Sequence, residues 1–133
     1  MPEKKWKYIP SIPSEVKFEN ISLIDLFRNT VDAKGSNKAT YFEGKFTTYN
    51  ELEENVNRLS HALQSLNVRK GDRVAILMPN CPQFIYSFFA PLALGAIVTS
   101  ISPLLTGAEI RNQLADSGAK VILTMDLFLD SIR

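Results

Sequence analysis

Apolar residues in the middle of the chain recur every three or four positions, which is the spacing of one face of a helix. They are Leu52, Val56, Leu59, Leu63 and Leu66. Thr48 followed by Glu51 forms a capping-box pattern just before them, because each side chain can bond the backbone of the other residue. The pattern predicts a helix that begins after Thr48 and ends at Asn67 or Gly71.

Three more residue pairs have the spacing of a helix cap, namely Ser22 with Asp25, Asn80 with Gln83, and Thr106 with Glu109. The first predicted helix carries Leu23, Leu26, Phe27 and Val31 on one side. The second, over residues 81–94, is apolar nearly all round, so we expect it to be deeply buried and to kink or end early at Pro91. The third places Ile110 and Leu114 toward the core and ends at Gly118.

The continuous apolar run at residues 74–77 predicts a strand that is buried on both faces. Residues 96–101 and 121–123 predict two further strands. Residues 39–48 hold two short runs of aromatic and β-branched residues around Glu43-Gly44, which is the pattern of a β-hairpin. A further helix is expected to begin at residue 126.

This order of strands and helices predicts an α/β fold with a mainly parallel sheet flanked by helices, preceded by an N-terminal β-hairpin. Right-handed crossovers would wrap the helices around the sheet. We expect residues 1–21, which include three prolines, to form an extended arm. Residues 22–133 then form the α/β unit.

Residues 74–108 contain no charged side chain, which raises a membrane-spanning alternative. Residues 84–101 alone approach the length of a membrane helix. The run is interrupted at Pro79, Pro82, Pro91, Pro103, Gly95 and Gly107. A membrane tolerates such breaks only where neighbouring protein satisfies the freed backbone groups. A buried strand, a buried helix and a second buried strand in a soluble domain explain the pieces without that help.

The composition is that of a globular protein, with 45% hydrophobic and 22% charged residues. The net charge of +1 argues against a nucleic-acid partner, which needs clustered excess Lys and Arg. A basic cluster at Lys4, Lys5 and Lys7 is interpreted as part of a solvated arm. One cysteine, Cys81, excludes an intrachain disulfide and fits a reducing, cytoplasmic compartment. The N-terminus lacks the apolar segment of a signal peptide.

The sequence offers little self-contained chemistry. The six glycines are isolated, so neither the GxGxxG nor the GxxxxGK[ST] phosphate-loop pattern is present. His61 lies beside the apolar stripe of its helix with no carboxylate one turn away, so we interpret it as structural. Cys81 lies at a predicted helix start with no base near it in the sequence, and a small buried hydrophobe is the simpler interpretation.

Aromatic residues of the predicted 81–94 helix are candidates for the lining of an acyl or ring pocket, but at helical spacing core packing is the default interpretation. They are Phe84, Tyr86, Phe88 and Phe89. Glu51, Glu53 and Glu54 suit the positive end of a helix dipole, so a metal site is not needed to explain them. Capping likewise explains Asn80 and Thr106 without an anion. The sequence therefore assigns no catalytic, cofactor-binding or metal-ligating residue.

Four segments, in order, resemble motifs of the AMP-forming acyl-CoA synthetases, which are adenylate-forming enzymes. Residues 46–52 (FTTYNEL) resemble [LF]TYxEL, residues 70–80 (KGDRVAILMPN) resemble KGDRVAILLPN, and residues 92–98 (LALGAIV) resemble LKAGAxxV. Residues 102–122 resemble the NPLYTxxELxxQLxDSGAKVII segment typical of fatty-acyl-CoA ligases. The chain departs from these motifs at Pro91, Ala93, Ser102 and Leu105, which bears on the acid used rather than on the family.

The resemblance implies a partial N-terminal subdomain of the adenylate-forming ligase fold, truncated at its C-terminal end. Intact members use ATP, Mg²⁺ and coenzyme A to convert a carboxylic or fatty acid into acyl-CoA through acyl-AMP. Their Ser/Thr/Gly-rich phosphate loop, their magnesium and ribose acids and their mobile-domain lysine follow this region, so no catalytic residue is carried over. The implied partner is the remainder of the ligase, in cis or as a separate chain, or a second copy of this chain.

Three functions are therefore open. The chain is an inactive scaffold piece of a truncated or split ligase, or a stand-alone binding or regulatory module that kept the fold. A small flavodoxin-like nucleotide or flavin binder is the third, and the absence of a glycine loop speaks against it.

Overall fold

The computed structural model describes residues 19–132, so the predicted arm and its basic cluster lie almost entirely outside the described residues. Within this range the elements are α1 (Leu23–Lys34), β1 (Lys38–Phe42), β2 (Lys45–Thr48), α2 (Tyr49–Ser65), β3 (Arg73–Leu77), α3 (Pro82–Ala93), β4 (Ile97–Ile101), α4 (Gly107–Ser117) and β5 (Val121–Thr124). A 3₁₀ turn at Asp126–Phe128 and the short helix α5 (Leu129–Ile132) follow. The predicted order of helices and strands is confirmed.

Strands β3, β4 and β5 form a parallel sheet in the order β4-β3-β5. Val74 of β3 lies opposite Val98 of β4 and Val121 of β5. The crossover from β3 to β4 and the crossover from β4 to β5 run in opposite directions along the sheet. Right-handed crossovers therefore place α3 and α4 on opposite faces. The α/β fold with a parallel sheet is confirmed.

The core has two clusters, one on each face of β3, because successive strand side chains point to opposite faces. Val74 belongs to the larger cluster, with buried residues of α1, α2 and α3. Ala75 and Leu77 belong to the smaller one, with Ile110 of α4. The four residues from Val74 to Leu77 are completely buried, as the continuous apolar run predicted.

Strands β1 and β2 form the predicted hairpin, with Tyr41 opposite Phe46. Its turn residues Glu43 and Gly44 have φ of 46° and 82°. A two-residue turn with both φ values positive matches the right-handed twist of the flanking strands. The apolar side chains of the hairpin stay in contact with water, and Tyr41 is 63% exposed.

Local signals fix most helix ends. Ser22, Thr48 and Thr106 cap α1, α2 and α4, and the last two form complete capping boxes. Asn67, with φ of 60°, follows the end of α2, as predicted. Gly118, with φ of 60°, ends α4.

The predicted Asn80–Gln83 capping box is wrong. The helix α3 begins one residue later than that cap requires, with Cys81 at the N-cap and no side-chain cap bond. Proline clashes with a helical conformation of the residue before it, so Cys81 is extended, with φ of −148° and ψ of 165°. Pro82 then takes the first helical position, where its missing N–H costs nothing.

The predicted deep burial of α3 is also wrong. Only Ser87, Ala90 and Pro91 are buried, and the helix continues through Pro91 to Ala93. One side of α3 packs on α2, where the buried Ser60 hydroxyl donates to the Ala90 carbonyl at 3.0 Å. The four aromatic side chains of α3 are only partly buried. Among residues 19–132 no helix combines the length and the apolar character needed to cross a membrane.

Candidate functional site

The carboxyl ends of parallel strands are the usual ligand-binding edge of an α/β sheet. Here the polar groups at that edge bond to each other. The Thr124 hydroxyl at the end of β5 donates to the Leu77 carbonyl at the end of β3, at 3.0 Å. Thr106, after β4, donates from its backbone N–H and its hydroxyl to Glu109 Oε2, at 2.8 and 2.7 Å.

These two donors hold the pKa of Glu109 below its usual value, with the backbone hydrogen bond as the larger cause. Glu51 has the same arrangement with Thr48 at the start of α2, and its pKa is lowered for the same reason. An ionised carboxylate already occupies each of these helix N-termini. Capping, not anion binding, is thus the role of both threonines.

The opposite edge of the sheet holds the strands together through what we call the amino-end junction, formed by residues 69–73, 95–97 and 118–120. Three backbone bonds cross it: Gly71 N to Gly95 O at 3.0 Å, Ile97 N to Asp72 O at 2.8 Å, and Lys120 N to Arg73 O at 2.8 Å. The KGDR part of one sequence motif thus links the starts of all three strands. Its role is structural.

Asp72 is the central side chain of this junction. Its Oδ2 accepts from Lys120 Nζ at 2.8 Å and from the Arg69 backbone N–H at 2.8 Å. The bond from Lys120 is the main cause that lowers the pKa of Asp72. Lys120 Nζ also donates to the Asn67 carbonyl at 2.6 Å, which ties the end of α2 to the start of β5. The two motif residues therefore neutralise each other.

The residues considered for catalysis do not converge. His61 is exposed on α2, and its carbonyl accepts from Ser65. Cys81 is a free, partly buried thiol at the N-cap of α3. Glu54 pairs with Arg58 one turn along the same helix. The described residues contain no group of three or more His, Cys, Asp or Glu that fits a metal ion.

The open surface lies instead around the hairpin, α1 and α3. A cavity of about 310 Å³, which we call the apolar groove, is lined by Leu23, Leu26, Phe27, Thr30, Ala39, Thr40, Tyr49, Leu52, Ile85 and Phe89. Phe27 and Phe89 stack with ring centroids 4.4 Å apart. Leu23 and Leu26 remain 49% and 51% exposed at the rim. The groove thus has a packed floor and an apolar rim that is exposed to solvent.

The aromatic residues of α3, for which core and pocket were both open, divide between the two roles. Phe89 packs on Phe27 and also lines the apolar groove. The rings of Phe88 and Phe89 meet nearly at right angles, with their centroids 5.6 Å apart. Phe84 lines a second cavity of about 310 Å³ beside Cys81. None of these side chains is fully buried.

A polar groove of about 420 Å³ lies where the hairpin faces the start of α3. Lys45, Asn55, Gln83 and Tyr86 line it. The Asn55 amide already donates to the Glu51 carbonyl at 2.7 Å. Burial, with a smaller contribution from Cys81, raises the pKa of Tyr86, so its phenol stays protonated and can donate a hydrogen bond. The groove offers donors for a polar ligand.

Sequence patterns revealed only part of the lining of these grooves. The apolar groove combines α1, the hairpin and α3, whose residues lie far apart in the chain. Two signals pointed toward them: the shared side of Leu23 and Leu26, and the aromatic residues of α3, for which a pocket was one of the two interpretations. The structure places both leucines at an open rim and Phe89 in the lining of the apolar groove.

Comparison with known proteins identifies the family to which this fold is related. A family model described as "AMP-binding enzyme" matches residues 27–132. A long-chain-fatty-acid–CoA ligase from Bacillus subtilis is 35% identical over 127 residues, which are 94% of this chain and 23% of the relative. A ligase with the same description from Escherichia coli is 34% identical over 134 residues, 98% of this chain and 24% of the relative.

Among solved structures, a Mycobacterium tuberculosis fatty acyl CoA synthetase superposes with a TM-score of 0.77 at 30% identity. The match covers 82% of this chain and 22% of that one. An anthranilate CoA ligase in complex with anthranoyl-AMP superposes with a TM-score of 0.78 at 28% identity, over 82% of this chain and 21% of that chain. The chain therefore spans about a quarter of the length of the curated relatives that it matches.

Proposed function

The chain belongs to the AMP-binding enzyme family, and from this premise we propose that it is the N-terminal scaffold part of an AMP-forming acyl-CoA synthetase. In this proposal the parent enzyme converts a carboxylic acid into acyl-CoA through acyl-AMP, and a fatty acid is the proposed substrate. ATP, Mg²⁺ and coenzyme A serve that reaction. Among residues 19–132 no group of three or more His, Cys, Asp or Glu fits a metal ion, so in this proposal the remainder of the ligase holds the Mg²⁺.

One observation carries the proposal: three pairs of polar residues in the family motifs are bonded to each other. Thr48 and Thr106 are paired with their capping glutamates, and Asp72 is paired with Lys120. Stabilising a developing charge requires donors aimed at the reacting atoms and free to bond them. These six motif side chains have their partners within the fold, so their contribution is to hold the sheet and helices in place.

The proposed partner is the remainder of the ligase, in cis or as a separate chain. The relatives are about four times as long as the match. The sheet has only three strands among the described residues, with β4 and β5 at its edges. Leu104, just after β4, is 94% exposed and Leu127, just after β5, is 62% exposed. Contact with further protein at these points would remove apolar surface from water.

The first test is chemical. We expect the purified 133-residue chain, supplied with ATP, Mg²⁺ and a long-chain fatty acid, to form no acyl-AMP and to release no diphosphate above a protein-free blank. The Bacillus subtilis ligase serves as the positive control under the same conditions. Acyl-AMP formed by the chain alone would show that it holds a complete adenylation site and would contradict the scaffold role.

The second test is structural. The matching quarter of the Bacillus subtilis ligase is replaced by this chain, and acyl-CoA formation is compared with that of the ligase lacking the quarter. We expect activity in the chimera and none in the deletion. A soluble chimera without activity, together with a monodisperse and cooperatively unfolding isolated chain, would favour the stand-alone binding module.

A further inference from the structure

The apolar groove has the character of a binding surface whose occupant is absent from the described residues. Its floor belongs to the core, since Phe27 is 7% and Leu52 is 3% exposed. Its rim leaves about half of Leu23 and of Leu26 in water. Thr40 lines the groove as well, and its buried Oγ1 has no hydrogen-bond partner among the described residues. Contiguous exposed apolar surface of this kind marks an interaction site.

We propose that residues 1–18 of the same molecule dock onto the apolar groove. This segment carries seven large apolar side chains: Met1, Trp6, Tyr8, Ile9, Ile12, Val16 and Phe18. Such side chains fit a groove lined by leucine and aromatic residues, because burying them removes apolar area from water on both partners. The segment also supplies backbone N–H groups that could bond Thr40 Oγ1.

Charge favours the same pairing. Residues 1–18 hold four lysines and two glutamates, a net charge of +2. Residues 19–132 hold ten basic and twelve acidic side chains, a net charge of −2. The opposite net charges attract the segment toward residues 19–132 before contact. The negative net charge of residues 19–132 also repels a negatively charged competitor.

The tether decides between the same molecule and a second copy. The segment ends at Phe18, only five positions before the groove residue Leu23. An extended chain of this length reaches on the order of 60 Å, far more than the groove requires. A short tether holds its segment at an effective concentration of about 1 mM or more near its own groove, so at micromolar protein a second copy competes poorly.

The single tryptophan of the chain, Trp6, lies in this segment and reports on docking directly. In the folded full-length chain we expect Trp6 fluorescence to be shifted to the blue and less accessible to acrylamide than in the urea-unfolded chain. The emission spectrum should not change with protein concentration across the micromolar range, because the occupant belongs to the same molecule.

The groove variants are Leu26→Glu and Leu23→Glu, which place a charge at the half-exposed rim and spare the packed floor. Each should move Trp6 emission toward the red and raise its quenching to near the unfolded level. Leu104→Glu is the matched control, because Leu104 is 94% exposed and lies outside the groove. Far-UV circular dichroism and urea midpoints confirm that all three variants fold.

Three results would overturn the proposal. Trp6 emission in the folded chain could equal that in urea, or could be unchanged in both folded groove variants. A blue shift that grows with protein concentration would assign the groove to a second copy instead. These readouts need no ligase activity, so they fail or succeed independently of the proposed function.

Discussion

The amino-end junction and the apolar groove differ in how completely their atoms are already bonded. At the junction, backbone bonds join the starts of β3, β4 and β5, and Asp72 and Lys120 neutralise each other. At the groove, leucine rim residues remain half in water, and one buried hydroxyl has no partner in the described part of the chain. The junction coincides with family motifs, whereas the groove draws mostly on residues outside them. In this chain the motifs therefore coincide with the bonded junction, whereas the open apolar surface, where we propose that residues 1–18 dock, lies mostly outside them.

The largest expected effect distinguishes the floor of the groove from its rim. Phe27→Ala removes a buried ring that stacks on Phe89, so we expect the free energy of unfolding to fall by about 3–5 kcal/mol. Leu26→Ala, at a half-exposed position, should cost about 1 kcal/mol or less. Urea titrations followed by circular dichroism measure both. Similar losses for the two variants would contradict the description of a packed floor with an open mouth.

A smaller effect compares two glycines with left-handed backbone conformations. Gly95 lies in the junction with φ of 69°, and an added Cβ would meet Lys70 Cγ at 3.1 Å. Gly44 lies in the hairpin turn with φ of 82° and has open space around it. Each change to alanine should lower the free energy of unfolding by about 1–2 kcal/mol, because alanine disfavours the left-handed conformation. Gly95→Ala should cost more, and Lys70→Ala should remove the excess. If Gly44→Ala lowers the free energy of unfolding as much as Gly95→Ala or more, the junction is loosely packed around Gly95.

The smallest expected effect is the pH dependence of the junction. The pKa of Asp72 is lowered from 3.8, so its contribution to stability is present above pH 3.8 and is lost as pH falls through the lower folded value. Asp72→Asn should remove that part of the acid sensitivity of unfolding. Both side chains of the ion pair are partly exposed, so added salt should weaken the effect.

The matched control is Asp116→Asn, an exposed carboxylate on α4. It changes net charge equally but removes no bond of the junction. Unfolding midpoints in urea, measured at neutral pH and below pH 3.8, compare the three proteins. Equal behaviour of Asp72→Asn and Asp116→Asn would show that the junction pair contributes only as bulk charge.

Sequence patterns predicted those features that depend on a few adjacent residues. A capping box needs only four positions, so Thr48 with Glu51 and Thr106 with Glu109 were recognisable. A central parallel strand is continuously apolar, so residues 74–77 were recognisable as well. The failure at Asn80 was also local, because the constraint that Pro82 places on Cys81 was not applied.

The apolar groove and the exposure of α3 could not be predicted in the same way. The apolar character of a side chain shows that its burial is favourable, but it does not show which part of the protein will cover that side chain. Phe89 finds a partner in Phe27, more than sixty positions earlier. Phe84 stacks with Phe88, and Phe88 contacts Phe89, but both Phe84 and Phe88 remain only partly buried.

The opposite directions of the two crossovers set an order of assembly during synthesis. When the ribosome has made β3, α3 and β4, it has also made every helix of the larger cluster, whereas α4, which covers the other face, has not yet been made. The other face presents Leu77 and Ile101 to solvent until Ile110 of α4 arrives. During that interval the growing chain exposes a two-stranded apolar ribbon, which is a site for chaperone binding or aggregation. Translation speed through α4 should therefore influence the yield of folded protein.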